Sequence, residues 1–300
     1  MPPFSTLTRR RRGQIASPPT TTHSLEDSLR NPRVGSWELL RRVHRGEYAD
    51  VYLSRPAGAI QSCADYVVKV LREERCDDPT AVAMMTSEAA AGRAVLHPHL
   101  APVLEAHLRS TPRHLVMPRL EGVPLSVLLR EGQCGLRRAL RTARQVAEAL
   151  AELHDHGWRH GDVKPANVMI SPEGHATLID LSMAAPVTQP GQGLGTPTYA
   201  APELQAGTPG ASSDVYSLGV MLFELLAGRA PFELNSPQQL ADAHREEPAP
   251  SLRDLAPQVP AGAARLVRRM LQKSPHDRPF ATEVIEELTP LEIEVFADTR

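Results

Sequence analysis

The chain has 300 residues, 41% apolar and 23% charged, with a net charge of −2 at neutral pH. That is material for one large domain or two modest ones around an ample core, and it gives no global argument for a nucleic-acid partner or a membrane surface. No apolar run is long enough to span a bilayer, and no signal peptide is expected because Arg9–Arg12 leads into polar, proline-rich sequence.

Residues 1–35 are rich in Pro, Ser, Thr and Arg, lack periodicity and read as a disordered basic tail. From Trp37 the pattern changes. Trp37–Leu40, Ala49–Ser54 and Tyr66–Leu71 read as strands, with Gly46 and Gly58 in the turns. The spacing predicts a helix over 79–96 and a further strand over His114–Met117. From Gly135 the chain turns helical: Leu136, Leu140, Ala143, Ala147 and Leu150 recur at helical spacing within 136–154. A helix over 213–227, opened by Ser212-Ser213-Asp214 and stopped by Gly228, is apolar nearly all round and so belongs in the interior. Helices over 261–272 and 281–288 follow, leaving 291–300 as a short C-terminal tail. A β-rich first third and an α-rich remainder imply an α+β protein of two lobes with a cleft between them. Cys63, Cys76 and Cys134 are odd in number and lack metal-ligand spacing, which suits a reducing, cytoplasmic compartment better than a disulfide framework.

Only three of the 33 basic residues are lysines: Lys69, Lys164 and Lys273. A compact ammonium on a flexible stem does work that a planar guanidinium does not. Lys69 lies in the apolar run Tyr66-Val67-Val68-Lys69-Val70-Leu71, where a half-buried charge needs a partner. Lys164 lies in His160-Gly161-Asp162-Val163-Lys164-Pro165-Ala166-Asn167. Lys273, near a helix end before Ser274-Pro275, reads as plain surface, where arginine would be silent.

Other segments fall around these two. Val43 to Tyr52 is a hairpin with one glycine, Gly46. Glu88 precedes His97-Pro98-His99-Leu100, and Met117 precedes Pro118-Arg119-Leu120-Glu121-Gly122. Asp180-Leu181-Ser182 follows a strand-like run, and Gly195 to Glu203 ends in Ala201-Pro202-Glu203. In this order the segments resemble the protein kinase family, in its bacterial serine/threonine branch, from about Trp37 to Leu288.

The resemblance implies a bilobal domain over 36–290, with an N-lobe at 36–117, a hinge at 118–122 and a C-lobe at 123–290. It implies ATP and Mg2+ as cofactors and a protein Ser or Thr hydroxyl as phosphate acceptor. Val43, Gly46, Val51, Val67, Met117, Leu120 and Met169 would surround the nucleotide. Lys69 would hold its phosphates, aimed by Glu88. Asp162 would accept the proton of the attacking hydroxyl, Lys164 would neutralise the transferred phosphoryl group, and Asn167 and Asp180 would bind Mg2+. Thr196 would hydrogen-bond Asp162 and Lys164. Glu203 would pair with Arg278, and Asp214 would hold the backbone of the loop that carries Asp162.

The pattern has departures. His44 and Ala49 stand where the family has the first and third glycines of its phosphate loop. Gly161 replaces an arginine that pairs with loop phosphate in many members, so loop phosphorylation is not expected to control activity. Ser182 and Thr188 are the hydroxyls between Ser182 and Gly195, and Thr188→Ala is expected to leave the initial rate nearly unchanged. Leu181 and Ser182 replace a phenylalanine and a glycine. Gly92, four residues after Glu88, is expected to leave a packing gap. The helix would then swing out, giving weak basal activity that an activating protein partner raises. The alternative function is a pseudokinase, a nucleotide-binding or scaffolding module without transfer.

Overall fold

The computed structural model describes residues 32–59, 63–190, 195–234 and 236–297. The first lobe is a six-stranded antiparallel sheet of β1 (Arg33–Val34), β2 (Trp37–Arg45), β3 (Ala49–Pro56), β4 (Tyr66–Leu71), β5 (Glu105–His107) and β6 (His114–Pro118). Its order is β1-β2-β3-β4-β6-β5. Helix α1 (Pro79–Ala94) packs against it. β2 runs past the predicted Leu40 to Arg45, bending through two bulges against β3. α1 starts at Pro79 because Asp78 accepts from the N–H of Thr80 and Ala81. Val68, Leu115 and Val116 have no exposed surface and form the centre of this lobe.

The second lobe begins with β7 (Val123–Pro124), α2 (Leu125–Arg130) and α3 (Leu136–Asp155). Then come β8 (Trp158–Arg159), β9 (Val168–Ile170), β10 (Ala176–Leu178) and β11 (Ala185–Pro186). Six helices close it: α4 (Pro202–Gln205), α5 (Ala211–Ala227), α6 (Pro237–Glu246), α7 (Leu252–Leu255), α8 (Ala261–Met270) and α9 (Ala281–Ala297). α5 is buried over nearly its whole surface and ends at Gly228, whose left-handed φ of 76° turns the chain away. α3 lays its Ala and Leu stripe against α5 and α9.

The backbone joins the lobes at two places. One crossing is the stretch after β6. In the other, the chain between α1 and β5 is bonded to β10: Leu178 N–H donates to His99 O at 2.8 Å and Ala101 N–H to Leu178 O at 2.9 Å. His99 adds a contact from its Nδ1 to Ala176 O at 2.7 Å.

The folded part exceeds the expected 36–290 at both ends. The sheet begins at Arg33, inside the span expected to be tail, because Val34 pairs with Trp37. The rest of that tail, with Arg9–Arg12, lies outside the described residues. α9 continues through Pro290 to Ala297 rather than stopping at 288. Arg144 bonds Glu292 at 2.6 Å, and the Arg137 guanidinium lies 3.8 Å from the centre of the Phe296 ring, so residues 291–297 are held on α3. Among the described residues no helix is long and apolar enough to cross a membrane.

Candidate active site

Lys69 stands on β4 between Val51 of β3 and Leu115 of β6. Its Nζ lies 2.6 Å from Glu88 Oε2 on α1 and 2.8 Å from Asp180 Oδ1 in the second lobe. Burial alone would lower the Lys69 pKa, but the two carboxylates outweigh it and raise it above the ordinary range. Asp180 shows the reverse balance. Burial would raise its pKa, yet the Lys69 ammonium holds it well below the usual carboxylate range. Glu88, deeper and facing Asp180 as well, keeps a raised pKa because burial prevails over its attraction to Lys69. Asp180 sits in the left-handed region at φ 65°, rare for a side chain other than glycine.

The expected gap at Gly92 does not exist. A Cβ there would lie 2.6 Å from Val103 Cγ2, and the Gly92 carbonyl accepts from Val103 N–H at 3.0 Å. Glycine lets the chain at Val103 lie directly on α1, and Glu88 is held in its ion pair. The reason for expecting α1 to swing out, and with it an activating partner, falls away.

The one-glycine hairpin also has a cause. His44 and Arg45 remain paired with Val51 and Asp50, so the turn is confined to 46–48. Gly46 N–H donates to Ala49 O at 3.0 Å, and a Cβ on Gly46 would lie 2.6 Å from that oxygen. The turn therefore needs its glycine at 46. Val43 at the end of β2 is 43% exposed.

Met117 pairs with Val67, and Pro118 with Tyr66. Past them Arg119 N–H donates to Asp65 O at 2.9 Å, whereas the Leu120 backbone has no hydrogen-bond partner among the described residues. Gly122 has φ 126°, and a Cβ there would lie 2.1 Å from Ile170 O, so glycine allows β9 to approach. Met169, on β9, pairs with Pro124 and Thr177.

Asp162 is surrounded by donors. Its Oδ1 accepts from Thr196 Oγ1 at 2.9 Å and Thr196 N–H at 3.2 Å. Its Oδ2 accepts from Asn167 Nδ2 at 3.0 Å and lies 2.6 Å from Lys164 Nζ. Lys164 also donates to Thr196 Oγ1 at 2.7 Å. With its amide nitrogen committed to Asp162, Asn167 has its amide oxygen left for another partner.

The loop is fixed from beneath. Asp214 accepts from His160 N–H at 2.7 Å and Gly161 N–H at 2.8 Å, and faces His154 Nε2 at 2.9 Å. His154, at the end of α3, has no motif in the sequence to reveal it. Burial would raise the Asp214 pKa, but His154 and the loop donors lower it. Glu203 pairs with Arg278 through two bonds of 2.6 and 2.8 Å, a bidentate geometry that fixes both planes.

Lys273 is not plain surface. Its Nζ donates to His244 O at 2.7 Å and Ala243 O at 3.3 Å, near the end of α6, and lies 4.8 Å from the centre of the Phe232 ring. Burial, with Arg278 nearby, lowers its pKa to about 8. His244 lies in the same nest. Its Nε2 donates to Thr198 O at 3.0 Å, and its Nδ1 accepts from Tyr216 Oη at 2.9 Å.

A curled sheet with an ion-paired lysine, set over a helical lobe that presents Asp162, Asn167 and Asp180, defines the two-lobed kinase class of fold. The family model described as protein kinase domain matches residues 37–288, and the chain belongs to that family. It is 38% identical over 234 residues to serine/threonine-protein kinase PknA of Mycobacterium tuberculosis, covering 72% of this chain and 54% of that protein. It is 35% identical over 259 residues to serine/threonine-protein kinase PknB of Mycolicibacterium smegmatis, covering 81% and 40%. Identity to serine/threonine-protein kinase PrkC of Bacillus subtilis is 28% over 259 residues, covering 84% and 40%. The chain spans about half the length of the curated relatives it matches, or less.

Proposed function

We propose that this chain is an ATP-dependent serine/threonine protein kinase that transfers the γ-phosphate of ATP to a protein hydroxyl. The observation that carries this reading is the Asp162 network, in which one carboxylate meets Lys164, Asn167 and Thr196 at once. Such a carboxylate is oriented before substrate arrives, so little reorganisation remains for the reaction. Asp162 takes up and aligns the acceptor hydroxyl, and Lys164 sets a positive charge beside the moving phosphoryl group. Lys69 exchanges part of its contact with Asp180 for the α and β phosphates, while Glu88 keeps it aimed across the cleft. Val43, Gly46, Val51, Val67, Met117, Leu120 and Met169 enclose the nucleotide, and the Leu120 backbone groups, without a partner among the described residues, read the adenine edge.

Asp180 and Asn167 fit a Mg2+ ion. Each offers a hard oxygen, Asp180 is kept ionised by Lys69, and magnesium characteristically takes one or two protein oxygens beside phosphate. When bound, the ion screens the charge of the phosphates. The protein acts on Ser or Thr of other proteins, and its three free cysteines fit a reducing cytoplasm. No observation favours a scaffold without transfer.

Radiolabelled transfer from ATP to a protein acceptor tests the reading. The wild type transfers and Lys69→Met loses roughly 100-fold or more. Equal rates for the two would overturn the role of Lys69, and no transfer by the wild type would overturn the function.

A further inference from the structure

The catalytic loop has no arginine after His160, but it has one before. Arg159, on β8, is 5% exposed and sends its Nη1 to Pro186 O at 2.6 Å and to Gln189 O at 2.9 Å. Both carbonyls belong to the segment that leads from Asp180 towards Thr196. Around them the chain closes on itself: Gln189 N–H donates to Pro186 O, and Val187 N–H donates to Gly157 O, both at 2.9 Å. β8 and β11 pair at Arg159 and Ala185, so the guanidinium starts beside the strand it clamps. Burial lowers the Arg159 pKa, and the nearby Asp214 charge offsets part of that cost.

On the other side of His160 the constraint is steric. Gly161 has φ 81°, and a Cβ there would lie 2.6 Å from Met183 O, in the same segment. A side chain at 161 would push against the chain it is meant to hold. The partners of Arg159 are carbonyls, present whether or not the segment carries a phosphate.

We propose that Arg159 is a positioning residue that holds the segment after Asp180 by its backbone carbonyls, so that phosphoryl transfer needs no phosphate on that segment. The transfer part of this inference rests on the kinase reading above; the clamp itself does not. Charge-assisted bonds to carbonyls are stronger than neutral ones and independent of modification state. Where the segment ends, Thr196 meets Asp162 and Lys164.

The test uses the full chain after phosphatase treatment, with mass spectrometry verifying that no phosphate remains. Two readouts are taken: transfer to myelin basic protein and hydrogen exchange at the Val187 and Gln189 amides. The stripped wild type keeps its rate within about twofold of the untreated protein, and a loss beyond roughly tenfold overturns the proposal. Arg159→Val loses roughly tenfold or more in kcat with KM for ATP within about twofold, and both amides exchange faster. Arg159→Lys, one charge with a narrower donor set, falls between. An Arg159→Val protein that is less stable yet keeps wild-type kcat and exchange overturns the proposal. Should Arg159→Val not fold, Arg159→Lys and the stripped wild type decide: in Arg159→Lys a severalfold loss of kcat with faster exchange at both amides upholds the proposal, and wild-type kcat and exchange overturn it. If the wild type transfers nothing, the kinase reading fails separately. Exchange then decides the clamp: wild-type protection in Arg159→Lys overturns it and lost protection upholds it.

Discussion

Lys69, Lys164 and Lys273 occupy three sites where an ammonium touches two oxygens at short range in partly buried surroundings. At Lys69 the partners are Glu88 and Asp180, on opposite lobes, and a guanidinium is too wide to replace a point charge between them. Lys69→Arg is expected to reduce transfer by roughly tenfold or more, about 1.4 kcal/mol of barrier, in the radiolabel assay. A rate within about twofold of wild type would show that charge alone suffices. Lys273→Arg is expected to destabilise the fold by about 1 kcal/mol or more, by denaturant melt, because the larger group must displace Phe232 or give up a carbonyl. An unchanged midpoint would return Lys273 to the surface role that the sequence suggests. The lone lysine near Ser274-Pro275 looks exposed in sequence because its burial comes from α6, about thirty residues away.

At the scale of elements, α1 decides whether Glu88 reaches Lys69. Gly92→Leu improves helix propensity by up to about 1 kcal/mol. It also drives a side chain into Val103, and overpacking costs about 1–3 kcal/mol. The clash wins, so the variant is expected to melt earlier and to transfer more slowly; a faster enzyme would contradict this packing. α6 supplies a pH dependence. Burial, reinforced by the Lys273 charge, lowers the His244 pKa from 6.5 to about 4. Between those values the unfolded chain binds a proton that the folded chain refuses. Stability is therefore full above pH 6.5 and falls as pH drops towards 4. The difference in melting between wild type and His244→Gln is expected to shrink over that window, and a pH-independent difference would contradict the assignment. Elements with strong local signals are legible in the sequence. α1 carries Asp78-Pro79 at its start, and α3 repeats its apolar stripe over five turns. β5 and α2 are short and mixed, with nothing to separate them from loop, whereas α6 opens on Ser236-Pro237, a start signal of the same kind as that of α1. The end of α9 is hidden by Pro290, whose break in the bonding pattern is compensated by packing on α3.

Across the whole molecule, residues far apart in sequence converge at one cleft. Lys69 and Asp180, 111 residues apart in sequence, join the lobes, and Thr196 reaches back to Asp162. The motif order reveals which residues converge, since each segment carries its own spacing. The backbone supports are less legible: Asp214 is reached only through the resemblance, and His154 beside it, like Arg159 with the carbonyls of Pro186 and Gln189, depends on tertiary placement that no spacing encodes. The central claim is that Asp162 is a catalytic group in an active enzyme. The most direct measurement is phosphate transfer from γ-labelled ATP to a protein acceptor by wild type and Asp162→Asn, each first shown to be stabilised thermally by ATP with Mg2+. Both proteins are expected to bind nucleotide and the variant to transfer about 100-fold more slowly or worse; equal rates, or nucleotide binding without transfer by the wild type, would contradict it.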